Sequence, residues 1–258
     1  MYKTIALLTD FGLKDHYAGV VKARILKEAQ NLSDIHFIDI THEIPPQDIK
    51  KACILLYFSY KYFPENTIFL VVVDPGVGTQ RKAIIIETEK YLFVGPDNGV
   101  FSLIYQENPN FKAWEIDIRK VLKPPFSTTF HGRDLFAPAI AYILKNTPIS
   151  EIAFPLDKKN LIKLDFSLPE KTSDGYRLSI WYVDNFGNLI TNFHQDMVEK
   201  PFEVIVNGKS VRFVKSYGYA EKGEIIALFG SEGLLEIAVR EGSAVKLLNN
   251  PEIEIKWK

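Results

Sequence analysis

Three clusters of acid and glycine stand directly after apolar runs: Thr9-Asp10-Phe11-Gly12, Asp74-Pro75-Gly76-Val77-Gly78 and Gly95-Pro96-Asp97-Asn98-Gly99. A carboxylate in such a place can hold a diol, a cation or a water, and a glycine lets a ligand come close to the backbone. One Asp-Gly turn would mean little, because both residue types favour turns for conformational reasons of their own. Three at one predicted sheet edge mark a site, since ligands of open α/β sheets bind outside the carboxyl ends of the strands. Asp10 either caps the helix that follows it or accepts two hydrogen bonds from a sugar diol. Asp74 follows the buried run Val71-Val72-Val73. Arg81, seven residues on, can return to it as a plain structural pair or as part of a reacting set. His131, within Phe130-His131-Gly132-Arg133-Asp134, stands at a predicted helix start, where a histidine with a backbone partner is the commoner role. Arg133 and Asp134 are expected to face different directions on that helix and to serve structure.

The second half offers Asp184-Asn185-Phe186-Gly187-Asn188 after one strand and Ser231-Glu232-Gly233 before another, and composition alone reads both equally well as turns. His36, His42 and His194 read as structural or surface residues. No two histidines show the i, i+4 spacing of a helical metal site, although Asp10, Asp15, His16, Asp74, Asp97 and His131 could be drawn around an ion.

These residues need elements to position them. Strands are expected over 4–8, 35–40, 68–73, 83–87 and 91–94. Apolar spacings of three and four predict helices around 20–26, over 48–62 between flanking prolines, and over 135–144. Strands alternating with helices argue for a three-layer α/β domain with a mainly parallel sheet, residues 1–160. Pro148, Pro155 and Pro169 punctuate a polar connector over 157–171, with the boundary near 155–172. Beyond it, short strands over 176–183, 202–206, 225–229, 234–239 and 245–248 suit a small β-barrel, residues 172–258.

Composition removes several function classes. The 258 residues are 47% hydrophobic and 24% charged, an ordinary globular mixture and not that of a disordered or fibrous chain. Lys and Arg number 31 against 32 acids, for a net charge of −1, so no cationic excess exists to neutralise a nucleic-acid backbone. One cysteine, Cys53, excludes a disulfide framework and a thiolate zinc site, and its apolar neighbours predict a buried thiol. The apolar start, Ile5 to Leu8, is too short for a secretory signal, and the longest apolar runs suit strands better than a membrane span of ~20 residues. A cytoplasmic protein without membrane association is expected.

Taken in order, six segments resemble one family. They are Leu8-Thr9-Asp10-Phe11-Gly12, Val73-Asp74-Pro75-Gly76-Val77-Gly78 with Arg81, Gly95-Pro96-Asp97-Asn98-Gly99, Phe130-His131-Gly132-Arg133-Asp134, Asp184 with Phe186-Gly187-Asn188, and Leu235-Glu236-Ile237-Ala238. Each is weak alone, but together they span nearly the whole chain. They look like the S-adenosyl-L-methionine (SAM) hydroxide adenosyltransferases, the adenosine-forming SAM hydrolases related to fluorinase and chlorinase. The resemblance implies an N-terminal α/β domain, a C-terminal β-barrel, and a homotrimer with active sites between subunits. It implies hydrolysis of SAM, as substrate and without a cofactor or metal, to adenosine and methionine.

By motif, the resemblance places Asp74, Arg81 and His131 on the catalytic set and Asp10 on the carboxylate that grips the ribose diol. It places Asp184 and Ser231 near the methionine amino-acid group, Asn188 at the adenine, and Phe186 and Tyr217 where they pack the adenine. Two stretches depart from the family pattern, Gly230-Ser231-Glu232-Gly233 and Val239-Arg240-Glu241, and both concern the amino-acid end. The halogenases resemble this chain less, because they lack an acid at the position of Asp74, and a carboxylate repels a halide. The competing readings are a SAM or adenosine sensor without turnover, a SAM-dependent halogenase, and a metal-dependent phosphoesterase built on the acid cluster.

Overall fold

The computed structural model describes residues 2–30 and 32–258, and the chain divides into one unit running to Leu164 and a second, Asp165–Lys258. In the first unit, strand β1 (Thr4–Thr9) alternates with period two, sending Ile5 and Leu7 into one apolar cluster and Ala6 and Leu8 into another on the opposite face. The chain continues through α1 (Tyr17–Glu28), β2 (His36–Thr41), α2 (Ile49–Ser59), β3 (Thr67–Val72), β4 (Ala83–Glu87) and β5 (Leu92–Pro96). It then forms α3 (Ser102–Glu107), β6 (Lys112–Ile116), the short α4 (Ile118–Val121), α5 (Ala137–Leu144), α6 (Ile149–Ile152) and β7 (Ala153–Pro155). Val21, Ile25 and Ile140 of α1 and α5 fill one face of the sheet, and Leu56 and Ile104 of α2 and α3 fill the other. Each such buried side chain contributes about 1.5–3 kcal/mol over exposure, so both faces hold the strand ends rigidly. Three layers result.

The sheet is not mainly parallel. Its order is β2-β1-β3-β5-β4-β6-β7. The pairs β2–β1, β1–β3 and β3–β5 are parallel, and β5–β4, β4–β6 and β6–β7 are antiparallel. Only a tight turn joins Glu87 to Leu92, whereas a parallel return needs a crossover of about a dozen residues. The four parallel strands still end at one edge, where Asp10 and Asp74 emerge.

The second unit contains β8 (Glu170–Lys171), β9 (Gly175–Leu178), β10 (Ile180–Val183), β11 (Leu189–His194), β12 (Phe202–Val206), β13 (Lys209–Phe213), β14 (Ile225–Phe229), β15 (Leu234–Val239), α7 (Ala244–Leu247) and β16 (Ile253–Trp257). Its nine strands run β10-β11-β15-β14-β13-β12-β16-β9-β8 and curl into a half-barrel whose end strands do not pair with each other. The single strand expected over 176–183 breaks at Ser179, whose backbone exchanges hydrogen bonds with Asn192 through the Asn192 N–H and side-chain oxygen, both at 3.0 Å. β9 therefore pairs with β16 and β10 with β11. The expected strand over 245–248 is the helical turn α7, because three apolar residues around Lys246 carry too little periodicity to separate strand from helix. Strands β6, β7, β8, β11, β13 and β16 had no expectation in the sequence.

Candidate active site

The register that pairs Thr9 with Val72 sets the ends of β1 and β3 side by side, so Asp10 and Asp74 leave the sheet as neighbours. With Gln47, Thr129, Phe130 and His131 they line a cavity of about 310 Å³. Arg81 returns to Asp74 as a fork. Its Nε donates to Oδ1 at 2.9 Å and to Oδ2 at 3.1 Å, and Nη2 donates to Oδ2. The pair is nearly sealed from solvent, with side chains 9% and 5% exposed. The other side of the guanidinium meets His131, Nη2 lying 3.1 Å from Nδ1, and its carbon sits 5.3 Å from the Phe136 ring centre. The structure thus brings Asp74, Arg81 and His131 together.

Local geometry explains the glycines of this edge. Gly78 has φ +75°, and a Cβ there would lie 2.4 Å from the Thr128 carbonyl oxygen, so the Asp74 loop can touch the strap before His131 only with glycine. His131 precedes a π-helical turn, Gly132–Phe136, which leads into α5. Burial, then the Arg81 charge, holds the His131 pKa below its ordinary value against the opposing pull of Asp74 and Asp134.

Asp10 does not cap α1, whose N-terminus has no side-chain cap. Its Oδ2 accepts the Gln47 N–H at 2.9 Å, leaving Oδ1 for a ligand. Asp97 does not join the site: it is buried and accepts the Ile162 N–H at 3.0 Å. Arg133 and Asp134, expected to point apart, form a two-bond pair at 2.7 Å, and Asp134 also accepts the Ser127 N–H at 2.8 Å. Asp15 and His16 are exposed. Among the described residues no group of three or more His, Cys, Asp or Glu side chains is placed to hold a metal ion, and no helix is long and apolar enough to cross a membrane.

In the second unit a cavity of about 860 Å³ gathers Asp184, Phe186, Asn188, Tyr217 and Ser231, all five residues named from the sequence. Asp184 also builds its own turn. Oδ1 accepts the N–H groups of Phe186 and Asn188 at 2.9 and 2.8 Å, and Oδ2 accepts the Asn188 side-chain amide at 2.9 Å. The turn reading and the cavity position therefore coexist. Phe186 is 76% exposed. Tyr217 donates its hydroxyl to Glu236 Oε2 at 2.6 Å. Burial pushes the Glu236 carboxyl up, with Asp184 and Glu232 adding to the shift and Tyr217 opposing it. Burial, then Glu236, pushes the Tyr217 phenol up.

Tyr182 was not singled out from the sequence, and Glu236 stood only within the Leu235–Ala238 segment without a role, although an acid inside the apolar run of β15 was a readable signal. Gln47 offers only a backbone N–H and left no such signal. Glu232, Arg240 and Glu241, which fall in the two departing stretches, line the same cavity.

A model of the SAM hydroxide adenosyltransferase N-terminal domain matches residues 5–153, and one of the C-terminal domain matches 178–252. The (R)-S-adenosyl-L-methionine hydrolase of Thermus thermophilus is 35% identical over 97% of each chain. That of Methanocaldococcus jannaschii is 38% identical over 95% of this chain and 91% of its own. Fluorinases from Actinoplanes and Nocardia brasiliensis are more distant, at 23% and 22% identity. Among solved structures, an uncharacterized conserved protein from Thermotoga maritima superimposes with a TM-score of 0.85 at 38% identity, covering 98% of this chain and 99% of that one.

Proposed function

Because the chain belongs to the SAM hydroxide adenosyltransferase family, we propose that it hydrolyses S-adenosyl-L-methionine to adenosine and L-methionine. The observation that carries this reading is Arg81 bridging Asp74 and His131 beside the cavity that also holds Asp10. In this reading water attacks C5′, the C5′–sulfur bond breaks with its electrons passing to sulfur, and a neutral thioether departs without needing an acid. The demand falls on water, whose pKa is ~15.7.

Arg81 supplies positive charge that favours the hydroxide form. Asp74 Oδ1 accepts one Arg81 bond and keeps a lone pair for the proton of the water. The neutral His131 ring accepts from Arg81 at Nδ1, so its proton sits on Nε2, which donates to the nucleophile and orients it. Alignment of oxygen, carbon and sulfur can contribute up to ~7–11 kcal/mol in ideal cases.

Asp10 holds the ribose diol, Asn188 the adenine edge, Phe186 and Tyr217 its faces, and Asp184 with Ser231 the amino-acid end. SAM is the substrate and no cofactor takes part. The assembly belonging to this reading is a homotrimer with active sites between subunits.

The test is incubation with SAM in ¹⁸O-labelled water containing EDTA and chloride. Adenosine and methionine should form in equal amounts, with the label in the 5′-hydroxyl. S-adenosylhomocysteine or methylthioadenosine would refute the reading. Dominant 5′-chloroadenosine would move the chain to the halogenases, and tight binding without products would make it a sensor.

A further inference from the structure

His42, which the sequence marked only as structural or surface, is itself buried at the centre of a relay that ends beside Asp10. Its side chain is 1% exposed. Nδ1 lies 2.7 Å from the Thr9 hydroxyl, and Nε2 lies 3.1 Å from Asp39 Oδ1. The other oxygen of Asp39 receives Lys22 Nζ at 2.5 Å. Partial burial works to raise the Asp39 carboxyl, but the Lys22 bond and the His42 and Lys22 charges outweigh it and hold it below its ordinary value. A bulge makes this possible. The β1–β2 register shifts between Leu7 and Leu8, so that Asp39 and Thr41 oppose consecutive residues and His42 comes back towards Asp39.

The ring meets Asp39 by proximity, with no hydrogen bond formed at Nε2, and meets Thr9 through a hydrogen bond whose donor is set by the His42 tautomer. The Thr9 hydroxyl oxygen also accepts the Phe11 N–H at 3.3 Å. The two segments are sewn together on either side of this contact. Gly12 N–H donates to the His42 carbonyl at 2.7 Å, Ile44 N–H to the Thr9 carbonyl at 3.4 Å, and Gln47 N–H to Asp10 Oδ2 at 2.9 Å.

We propose that His42 is a positioning residue for Asp10, the Lys22–Asp39–His42–Thr9 relay fixing the turn that aims the Asp10 carboxylate at a ribose diol. This rests on the role given to Asp10 above. It adds that diol recognition is set by groups that touch no substrate.

Calorimetry with adenosine and 2′,3′-dideoxyadenosine tests it without requiring turnover. Wild type should prefer adenosine. Thr9→Val keeps the side-chain shape and removes the hydroxyl, and should weaken adenosine about tenfold, the scale of one well-placed hydrogen bond. It should leave the dideoxy compound unchanged, and Thr9→Ser should restore the preference. If Thr9→Val does not fold, Asp39→Ala enters the relay from its exposed end and should cost adenosine selectively. Equal losses for both ligands, or no loss, would overturn the proposal. A wild type indifferent to the diol would instead overturn the role of Asp10, and the relay's role with it. Intact diol preference without SAM cleavage would overturn only the hydrolase reading.

Discussion

Arg81 Nη2 lies 3.1 Å from His131 Nδ1, and since a guanidinium has only protons to give, this contact exists only while Nδ1 is unprotonated. Protonation of His131 would set two cations against each other inside a nearly sealed site. The Asp74 carboxylate, already forked by Arg81, compensates for one of them.

A pH dependence follows directly. Burial and Arg81 hold the folded His131 pKa below 6.5, whereas the unfolded chain titrates at about that value. As pH falls through 6.5 the unfolded state takes up a proton before the folded state does, so stability drops between 6.5 and the lowered folded pKa. The kcat/KM for SAM should fall on its acid limb at the same lowered pKa. Urea titrations and rate profiles across this range check both, and His131→Gln should lose the stability slope.

Charge removal separates folding from chemistry. Arg81→Ala leaves a nearly buried Asp74 carboxylate unpaired and should cost about 3–5 kcal/mol of stability. Arg81→Lys keeps the charge but cannot reproduce the fork, so it should regain much of the stability and little of the activity. His131→Ala should lower kcat by about 10²–10⁴ with SAM affinity nearly retained. Single-turnover rates and calorimetry on the same preparations distinguish these outcomes, and near-normal turnover of His131→Ala would remove it from the mechanism.

Gly78 and Gly208 share a left-handed backbone, at φ +75° and +73°, but only Gly78 has a neighbour within reach of an added Cβ. Gly208→Ala should cost only the backbone strain, about 1–2 kcal/mol. Gly78→Ala should cost more and also slow turnover, because the Thr128 carbonyl must move beside the cavity. Thermal unfolding of the two variants compares them, and equal losses would make the close approach unimportant.

Subunit mixing tests the proposed trimer. Asp74→Ala and Asp184→Ala should each be inactive, and refolding them together in equal amounts should return about a quarter of wild-type activity. That fraction follows if random rings carry about one good site in three wherever both variants are present. Native mass spectrometry confirms the mixing, and mixed rings with no activity would place each site within one chain.

What the sequence determined by itself was local. Short apolar runs bounded by turn residues were sufficient for β4, β12, β14 and β15, whose bounds they located, because a strand packed into a sheet writes its apolar character into consecutive residues. Turn chemistry marked Asp10, Asp74 and Asp184, because acids and glycines at strand ends are chosen for backbone reasons visible in the chain. Tertiary structure decided what depends on distant partners. The antiparallel pairings of β4 with β6 and of β6 with β7, and the break at Ser179, follow from contacts between residues well separated in sequence. The same holds for function-bearing side chains. Asp97 resembled Asp74 in its local sequence, yet the Ile162 N–H, 65 positions away, takes it for structure. His42 looked ordinary until a strand bulge set it between Asp39 and Thr9. A hydrogen bond selects its acceptor by distance and angle in space, and residue type constrains neither.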